Sequence, residues 1–360
     1  MSARVSIIIN NYNYAQFLAD AIESALAQTH QPLEVLVVDD GSTDDSRAVI
    51  AGFGSRVRAI LTENLGQGSA FNAGFAACSG EIVIFLDADD RLLPETAARV
   101  VEVIEANPEV ARVQYRMRVI DQAGMPTGEL MPPAGQALLS GDVRSRMLAF
   151  PDDLPWQPTS GNAFTARALR QVLPMPEAAY RICADYHLLN LTSLCGQVAA
   201  LDQPGVEYRV HGSNNEFSDE LCLNRLRQNI ERTTFTHREL IRFARGLQLE
   251  GLPQDPLEVK SVTYLANRLI SWRLEPALHS IRHESRLGLF WRGVRAIAGR
   301  FDLGPLRRVA YVGWFMAMVL VPRAFVPRLV AVYLDPKGLK RAARRVSRLE
   351  RQSSPEFGGL

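Results

Sequence analysis

The stretch Phe85-Leu86-Asp87-Ala88-Asp89-Asp90 sets three carboxylates directly after an apolar run that reads as a strand. Strand ends in open α/β sheets are where ligands bind, and like charges clustered there are costly unless a cation sits among them. A divalent ion carried on a diphosphate supplies that cation, because hard ions such as Mg²⁺ take one or two protein carboxylates and complete their shell with phosphate oxygens and water. A second acidic strand end is Val37-Val38-Asp39-Asp40-Gly41-Ser42-Thr43-Asp44. Here Gly41 allows a sharp turn and Ser42 or Asp44 can cap a following helix, which leaves the pair Asp39-Asp40 to explain. An acid at such a position can accept a hydrogen bond from a base or ribose. The first strand runs into Ile9-Asn10-Asn11-Tyr12-Asn13-Tyr14. Its amides and Tyr12 suit a base-stacking pocket, the plainer alternative being an Asn-rich turn with one packed Tyr. No G-x-G-x-x-G follows this strand, which disfavours a dinucleotide-binding Rossmann domain.

These residues need a scaffold. Short β-branched runs at Val5–Ile9, Glu34–Val38, Arg58–Leu61 and Glu81–Leu86 alternate with helical spacing at Phe17, Leu18, Ile22, Ala25 and Leu26 and again at Ala97, Val100, Val101 and Ile104. That alternation predicts a parallel sheet covered by helices. Residues 112–119 alternate polar and apolar, predicting a strand with one buried and one wet face and hence a mixed sheet. Residues 121–158 are rich in Gly and Pro and predict no long regular element. Helices are expected at Ala166–Val172 and Asp185–Cys195, a strand at Gln197–Leu201, and helical pattern from Asn215 to Arg245 and from Leu257 to Ala298. The expected division is residues 1–220 as a catalytic domain and 221–360 as a helical, basic region.

The chain has 360 residues, 47% hydrophobic and 22% charged, with a net charge of +1, a composition that excludes a disordered, collagen-like or nucleic-acid-binding protein. Cys78, Cys183, Cys195 and Cys222 form no C-x-x-C pair, arguing against a zinc ribbon, a redox dithiol or a disulfide scaffold and for a reducing compartment. The N-terminal run Val5–Ile9 is too short for a signal-peptide core. Charge is unevenly placed. Residues 281–351 hold sixteen Lys or Arg, among them Arg307, Arg308, Arg341, Arg344 and Arg345, against Glu284, Asp302, Asp335 and Glu350, whereas the first 280 residues hold 24 basic and 34 acidic side chains. Within this tail the apolar runs Val309–Val321 and Ala324–Leu334 are broken by Pro322-Arg323 and Pro327-Arg328, which opposes a single membrane span and favours attachment at an anionic membrane surface through faces containing Trp314, Phe315, Phe325 and Tyr333. A helical subdomain that packs this surface into its own core is the rival reading. The expected place of action is cytoplasmic, at the inner face of the cell membrane.

Five motifs in this order, Val5 to Tyr14, Val37 to Asp44, Asn64-Leu-Gly-Gln-Gly through Asn72-Ala-Gly, Ser79-Gly-Glu, and Leu86-Asp-Ala-Asp-Asp, resemble family 2 of the inverting glycosyltransferases. The resemblance covers roughly residues 4–215 and implies the GT-A fold, a mixed α/β sheet flanked by helices. It departs where the common Pro-Thr before the Tyr-Asn is Asn10-Asn11. The resemblance implies that Asn10, Tyr12 and Asp40 contact the nucleoside, with Asp39 a weaker candidate. It further implies that Asn64, Gly68 and Asn72 line the nucleotide side, that Asp87 faces the ribose or sugar, and that Asp89, or Asp90 in its place, holds a divalent metal, Mn²⁺ or Mg²⁺, on the diphosphate. Asp185, in Arg181-Ile-Cys-Ala-Asp-Tyr-His, stands where the family has an acid, and is the candidate general base, with an N-cap as its structural alternative. The Glu often preceding that acid is Ala184 here. In Glu207-Tyr-Arg-Val-His-Gly-Ser-Asn-Asn, His211 is a candidate for the metal or the diphosphate and Arg209 for offsetting phosphate charge. Trp156-Gln-Pro-Thr-Ser-Gly-Asn-Ala-Phe resembles the floor of the donor-sugar and acceptor site, with Trp156 offering an apolar face and Gly161 and Asn162 close approach and hydrogen bonding.

The implied partners are a nucleotide diphosphate-sugar, a glycan or lipid-linked acceptor, and an anionic membrane surface, with no nucleic acid. The implied setting is surface polysaccharide or glycolipid synthesis. A nucleotidyltransferase is the enzymatic rival, but such enzymes want a Gly-rich, basic loop after the first strand and Asn10–Tyr14 has neither. A non-catalytic nucleotide-binding scaffold at the membrane is the other, opposed by the retention of Asp87, Asp89 and Asp185 together.

Overall fold

A computed structural model describes residues 2–212 and 223–334. Cys222, Ser213 to Asn215 of the His-Gly segment, Asp335, Glu350 and the tail arginines Arg341, Arg344 and Arg345 lie outside the described residues. The chain divides into two units, one built from residues up to Met147 and from Leu154 to Asn214, the other from Leu148–Asp153 and residues beyond Asn214.

Four apolar strands form the parallel half of the first unit: β1 (Val5–Asn11), β2 (Leu33–Asp40), β3 (Arg58–Thr62) and β4 (Ile82–Asp87). β1 lies between β2 and β4, with Ile7 opposite Val35 and Ile84, and crossovers are made by α1 (Ala15–Leu26), α2 (Ser46–Gly52) and α3 (Gln67–Ala77). Because β1, β2 and β4 are covered on both faces, Val, Ile and Leu run along them almost without interruption. The two-residue β5 (Arg91–Leu92) and α4 (Thr96–Ala106) follow, then β6 (Val110–Ile120), β7 (Pro126–Met131), α5 (Arg144–Ala149), β8 (Asn162–Thr165), α6 (Ala166–Val172), α7 (Ala184–Thr192) and β9 (Gln197–Arg209). The sheet order is β3-β2-β1-β4-β8-β6-β9-β5, with β7 on β6; β8 is antiparallel to both neighbours and β9 parallel to β6. The predicted mixed sheet is therefore present.

The wet face predicted for residues 112–119 is not there. Arg112, Gln114 and Arg116 are buried. The Gly/Pro-rich segment folds back over part of that face and satisfies it with carbonyls: Gln114 donates to Leu139 O, and Arg116 to Pro132 O, Pro133 O and Gln136 O as well as to the Asp202 carboxylate. Arg112 donates to Asn162 Oδ1 and Ser193 Oγ. Alternation thus reported two different linings, not one dry and one wet side.

The second unit packs α8 (Leu223–Gly246), α9 (Val262–Leu274), α10 (Arg286–Gly299), α11 (Pro305–Leu320) and α12 (Val326–Leu334) around Leu226, Ile230, Leu265, Leu269, Phe315, Met318 and Val330. Asp153 accepts the backbone N–H groups of Val262 and Thr263 at the start of α9 and pairs with Arg300, and buried Arg268 pairs with Glu284 beside His279. Two aromatics read as membrane-facing are inside this unit. Phe315 is fully buried, and Trp314 stacks on Tyr333 and donates to Leu329 O. Among the described residues no helix is long and apolar enough to cross a membrane.

Candidate active site

Register alone gathers the first polar residues. At the carboxyl ends of the parallel strands Asn10 stands opposite Asp87 and Asn11 opposite Asp39. Asn10 Nδ2 donates to Asp87 Oδ1 at 2.7 Å and Asn11 Nδ2 to Asp39 Oδ1 at 2.9 Å. Asn13 takes the left-handed conformation (φ 58°), which lets its Oδ1 accept Thr43 N–H at 2.7 Å and tie the first loop to the second. The acids expected at the base have other work. Asp39 accepts from Asn11, Ser42 N–H and Arg47, and Asp40 accepts the backbone N–H groups of Leu65 and Gly66, at 2.9 and 2.8 Å. Both are buried with every oxygen occupied, because a tight Gly-containing loop leaves donors that only a carboxylate at this strand end can reach. Tyr12 stays exposed, available to a ligand's flat face.

The aspartates after β4 sit close enough to disturb one another. Burial first, then the charge of Asp89, pushes the Asp87 carboxyl up to about 7, with Asn10 pulling it down and the Asp185 charge adding to the rise. Asp90 is pushed well above the ordinary carboxyl range by burial and by Asp89 and Asp87. Its Oδ1 accepts Arg209 N–H at 2.9 Å, and Arg209 Nε donates to the Asp89 carbonyl at 2.8 Å while its other arm meets Asp20. Asp90 is thus an inward anchor for the end of β9, and Arg209 clamps the aspartate turn from within. Asp89 remains only partly buried, its Oδ2 3.0 Å from His211 Nε2. The His211 ring packs between Tyr14 and Phe17, with centroids at 5.7 and 5.0 Å. Tyr14 was not singled out by sequence. Burial, then Asp89, Asp87 and Asp90, raises its hydroxyl, so the phenol faces the same charges; the Tyr-x-Tyr spacing was the available signal.

Asp185 comes from a distant stretch yet reaches the same place. It occupies the first turn of α7, where its Oδ1 accepts Tyr186 N–H at 2.8 Å, and the N-cap is Cys183, held left-handed at φ 57°, so the N-cap alternative for Asp185 does not hold. Gln67 joins the two acids' elements: its Oε1 accepts Ala184 N–H at 2.9 Å and its Nε2 reaches Asp87 Oδ1 at 3.4 Å. Sequence reading gave Gln67 no role, although it lies within the Asn64-Leu-Gly-Gln-Gly motif.

The residues expected on the nucleotide side hold this junction together. Arg181 donates to Asn64 Oδ1 at 2.9 Å, Gly68 N–H donates to Tyr180 O at 2.9 Å, and a side chain at Gly68 would meet that oxygen at 2.8 Å. Asn72 uses both ends of its amide on the Met175 backbone. These three therefore fasten residues 175–181 to α3. The sugar-floor expectation also changes. Asn162 is fully buried, donating to Gln157 O and Pro158 O and accepting Arg112, and Gly161 is buried where a Cβ would strike Gln157 at 2.7 Å. The Trp156 ring lies on the Arg112 guanidinium, 4.0 Å from its centroid, so one face covers a buried cation.

Among the described residues no group of three or more His, Cys, Asp or Glu is arranged to hold a metal by itself. The donor set nevertheless fits a hard divalent ion that brings its own phosphate ligands: one partly buried carboxylate, one imidazole, and neighbouring acids whose raised affinity for protons reports unneutralised charge.

A curled mixed sheet with flanking helices is the GT-A fold. Across 98% of this chain and 92% of the other, the fold matches S. aureus TarS 1-349, solved with UDP-GlcNAc, at a TM-score of 0.51 and 15% identity. Residues 6–170 match the family described as Glycosyl transferase family 2. An uncharacterized glycosyltransferase of Nostoc sp. is 40% identical over 219 residues, 60% of this chain and 67% of that one. The succinoglycan biosynthesis protein ExoO of Rhizobium meliloti is 31% identical over 230 residues, 62% and 64% of the two chains. The chain belongs to glycosyl transferase family 2 and is a glycosyltransferase.

Proposed function

We propose that the chain transfers a sugar from a nucleoside diphosphate-sugar to an acceptor hydroxyl, with inversion at the anomeric carbon and with a divalent metal, Mn²⁺ or Mg²⁺. The observation carrying this reading is the convergence of Asp87, Asp89 and Asp185, the last felt electrostatically at the first and linked to it through Gln67. Asp89 and His211 are the residues that would hold the metal, which when bound neutralises charge gathering on the departing diphosphate. Asp185 would accept the acceptor's hydroxyl proton on its carboxylate, and displacement from the face opposite the leaving group inverts the centre. Asn10 and Gln67 hold Asp87 toward the sugar or ribose, Tyr12 stacks on the base, and Tyr14 and Phe17 fix the His211 ring.

A UDP-sugar complex of a protein with this fold supports the donor class, and a relative named for succinoglycan biosynthesis supports a glycan or lipid-linked acceptor in polysaccharide assembly. A nucleotidyltransferase is not favoured, since the loop after β1 carries neither Gly nor a basic residue. Thermal melts with UDP and GDP, each with and without Mn²⁺ or Mg²⁺, test the proposal, because a ligand bound by the folded state alone raises its stability. A metal-dependent rise that disappears in Asp89→Ala is expected; no rise with any nucleoside diphosphate would sink it.

A further inference from the structure

The helical unit leaves one helix apolar on the side away from its core. On α11, Leu306, Val309 and Leu320 are 86%, 71% and 73% exposed and Met316 46%, with Ala310 and Gly313 exposed between them. At helical periodicity these six fall within an arc of about 120° directly opposite the buried Phe315, Met318 and Val319. A helix apolar on both sides belongs inside a protein or in contact with lipid. α11 has 16 residues, a length of about 24 Å, short of the ~30 Å hydrocarbon core, so it can lie along a bilayer but not across it.

The surrounding charge selects the occupant. From Arg286 to Leu334 the sequence holds eight arginines and one acid, Asp302, which is itself paired with Arg300. Arg307 is exposed next to Leu306, and Arg328 lies 5.6 Å from the ring of Phe325, which is half exposed beyond the helix's far end. A two-fold contact with a second copy would set this positive rim against itself. An anionic lipid leaflet complements it, with basic heads at the phosphates and apolar stems below.

We infer that α11 is a membrane-contacting helix, lying parallel to an anionic leaflet with Leu306, Val309, Met316 and Leu320 at the acyl boundary and Arg307 and Arg328 at the headgroups. The site does not depend on the chemistry of sugar transfer, and its α11 residues differ from the Trp314 and Phe315 that the composition of the apolar runs favoured. The test is flotation of the full chain with phosphatidylcholine vesicles, with and without phosphatidylglycerol, at low and high salt. Binding to the anionic vesicles alone, weakened by salt, is expected. Val309→Asp combined with Leu320→Asp should lower it by at least about tenfold at an unchanged melting temperature. Arg307→Glu with Arg328→Glu should do the same through charge alone, which keeps the test decisive if the first variant folds poorly. Absence of wild-type flotation, or undiminished flotation of both variants, overturns the inference. So does a wild-type dimer by light scattering that the Asp variant splits, which would assign the stripe to a second copy.

Discussion

Gly66→Ala should destabilise the catalytic unit far more than the same change at another glycine of positive φ. Gly66 sits at φ +100°, and a Cβ there would lie 2.5 Å from Arg181 Cα and 2.7 Å from Arg181 O, where backbone cannot yield cheaply. With ψ 171° this backbone lies in an extended positive-φ region essentially reserved for glycine, where an L-residue costs roughly 1–3 kcal/mol. Relieving the contact means separating the loop from residues 180–181, which share the bonds Gln67 N–H to Arg181 O and Gly68 N–H to Tyr180 O, both 2.9 Å, and it disturbs the 2.8 Å bond from Gly66 N–H to Asp40. Losing even one such buried bond adds about 1–3 kcal/mol, giving a total of about 2–6 kcal/mol against the ~5–15 kcal/mol that holds a domain together. Gly54→Ala is the control, because Gly54 also has a left-handed φ of +55° but nothing within 4 Å of its Cβ position. Urea unfolding of both variants, followed by intrinsic fluorescence, reads the contact together with the extra cost of the Gly66 backbone as their difference. A gap below about 0.5 kcal/mol would refute the reasoning, since it would mean that the α3 loop and the Arg181 segment are not locked together.

His187 is buried, donates Nε2–H to Val172 O and is held near 4 by burial, so the unfolded chain binds its proton at higher pH than the folded one does. Stability should therefore fall as pH drops from about 6.5 toward 4, by roughly 3 kcal/mol relative to His187→Gln in urea unfolding; parallel pH profiles for the two proteins would remove that assignment. Asp87 runs the other way. With its carboxyl at about 7 in the fold, the ligand-free protein keeps this contribution at low pH and loses it as pH rises from about 4 through 7. Asp87→Asn should gain stability on wild type by roughly 2–4 kcal/mol between pH 5 and pH 8 while losing transfer activity, and an unchanged gap at the two pH values would count against a strained charge there.

Much of this was readable before any coordinates. Apolar runs and crossover spacing placed β1 to β4 within a residue or two, and the carboxylates at their ends marked the site, since parallel register leaves those ends side by side. What could not be read was which polar groups the loops would consume. Asp40 and Asn72 have the residue types of ligand contacts, yet backbone groups 25, 26 and 103 residues away reach them first, and Asp39 is taken by the Asn11 and Arg47 side chains and the nearby Ser42 N–H. The same long-range supply of carbonyls hid the burial of Arg116. Gln67 and Tyr14 lie within two of the motifs, but their roles become visible only when α3, α7 and the aspartate turn are in place. In the tail, the apolar runs and their basic flanks did not say which face the helical core would take, a choice made by packing against α9 and α10.

The direct measurement is the turnover of Asp185→Asn beside its affinity for the nucleoside diphosphate. Asn keeps an oxygen for Tyr186 N–H and removes only the proton-accepting charge. Transfer should fall by about 10²–10⁴-fold with nucleotide affinity changed less than about threefold. Near-normal transfer by the folded variant, or a loss explained wholly by weaker nucleotide binding, would contradict Asp185 as the base acting across from Asp87 and Asp89.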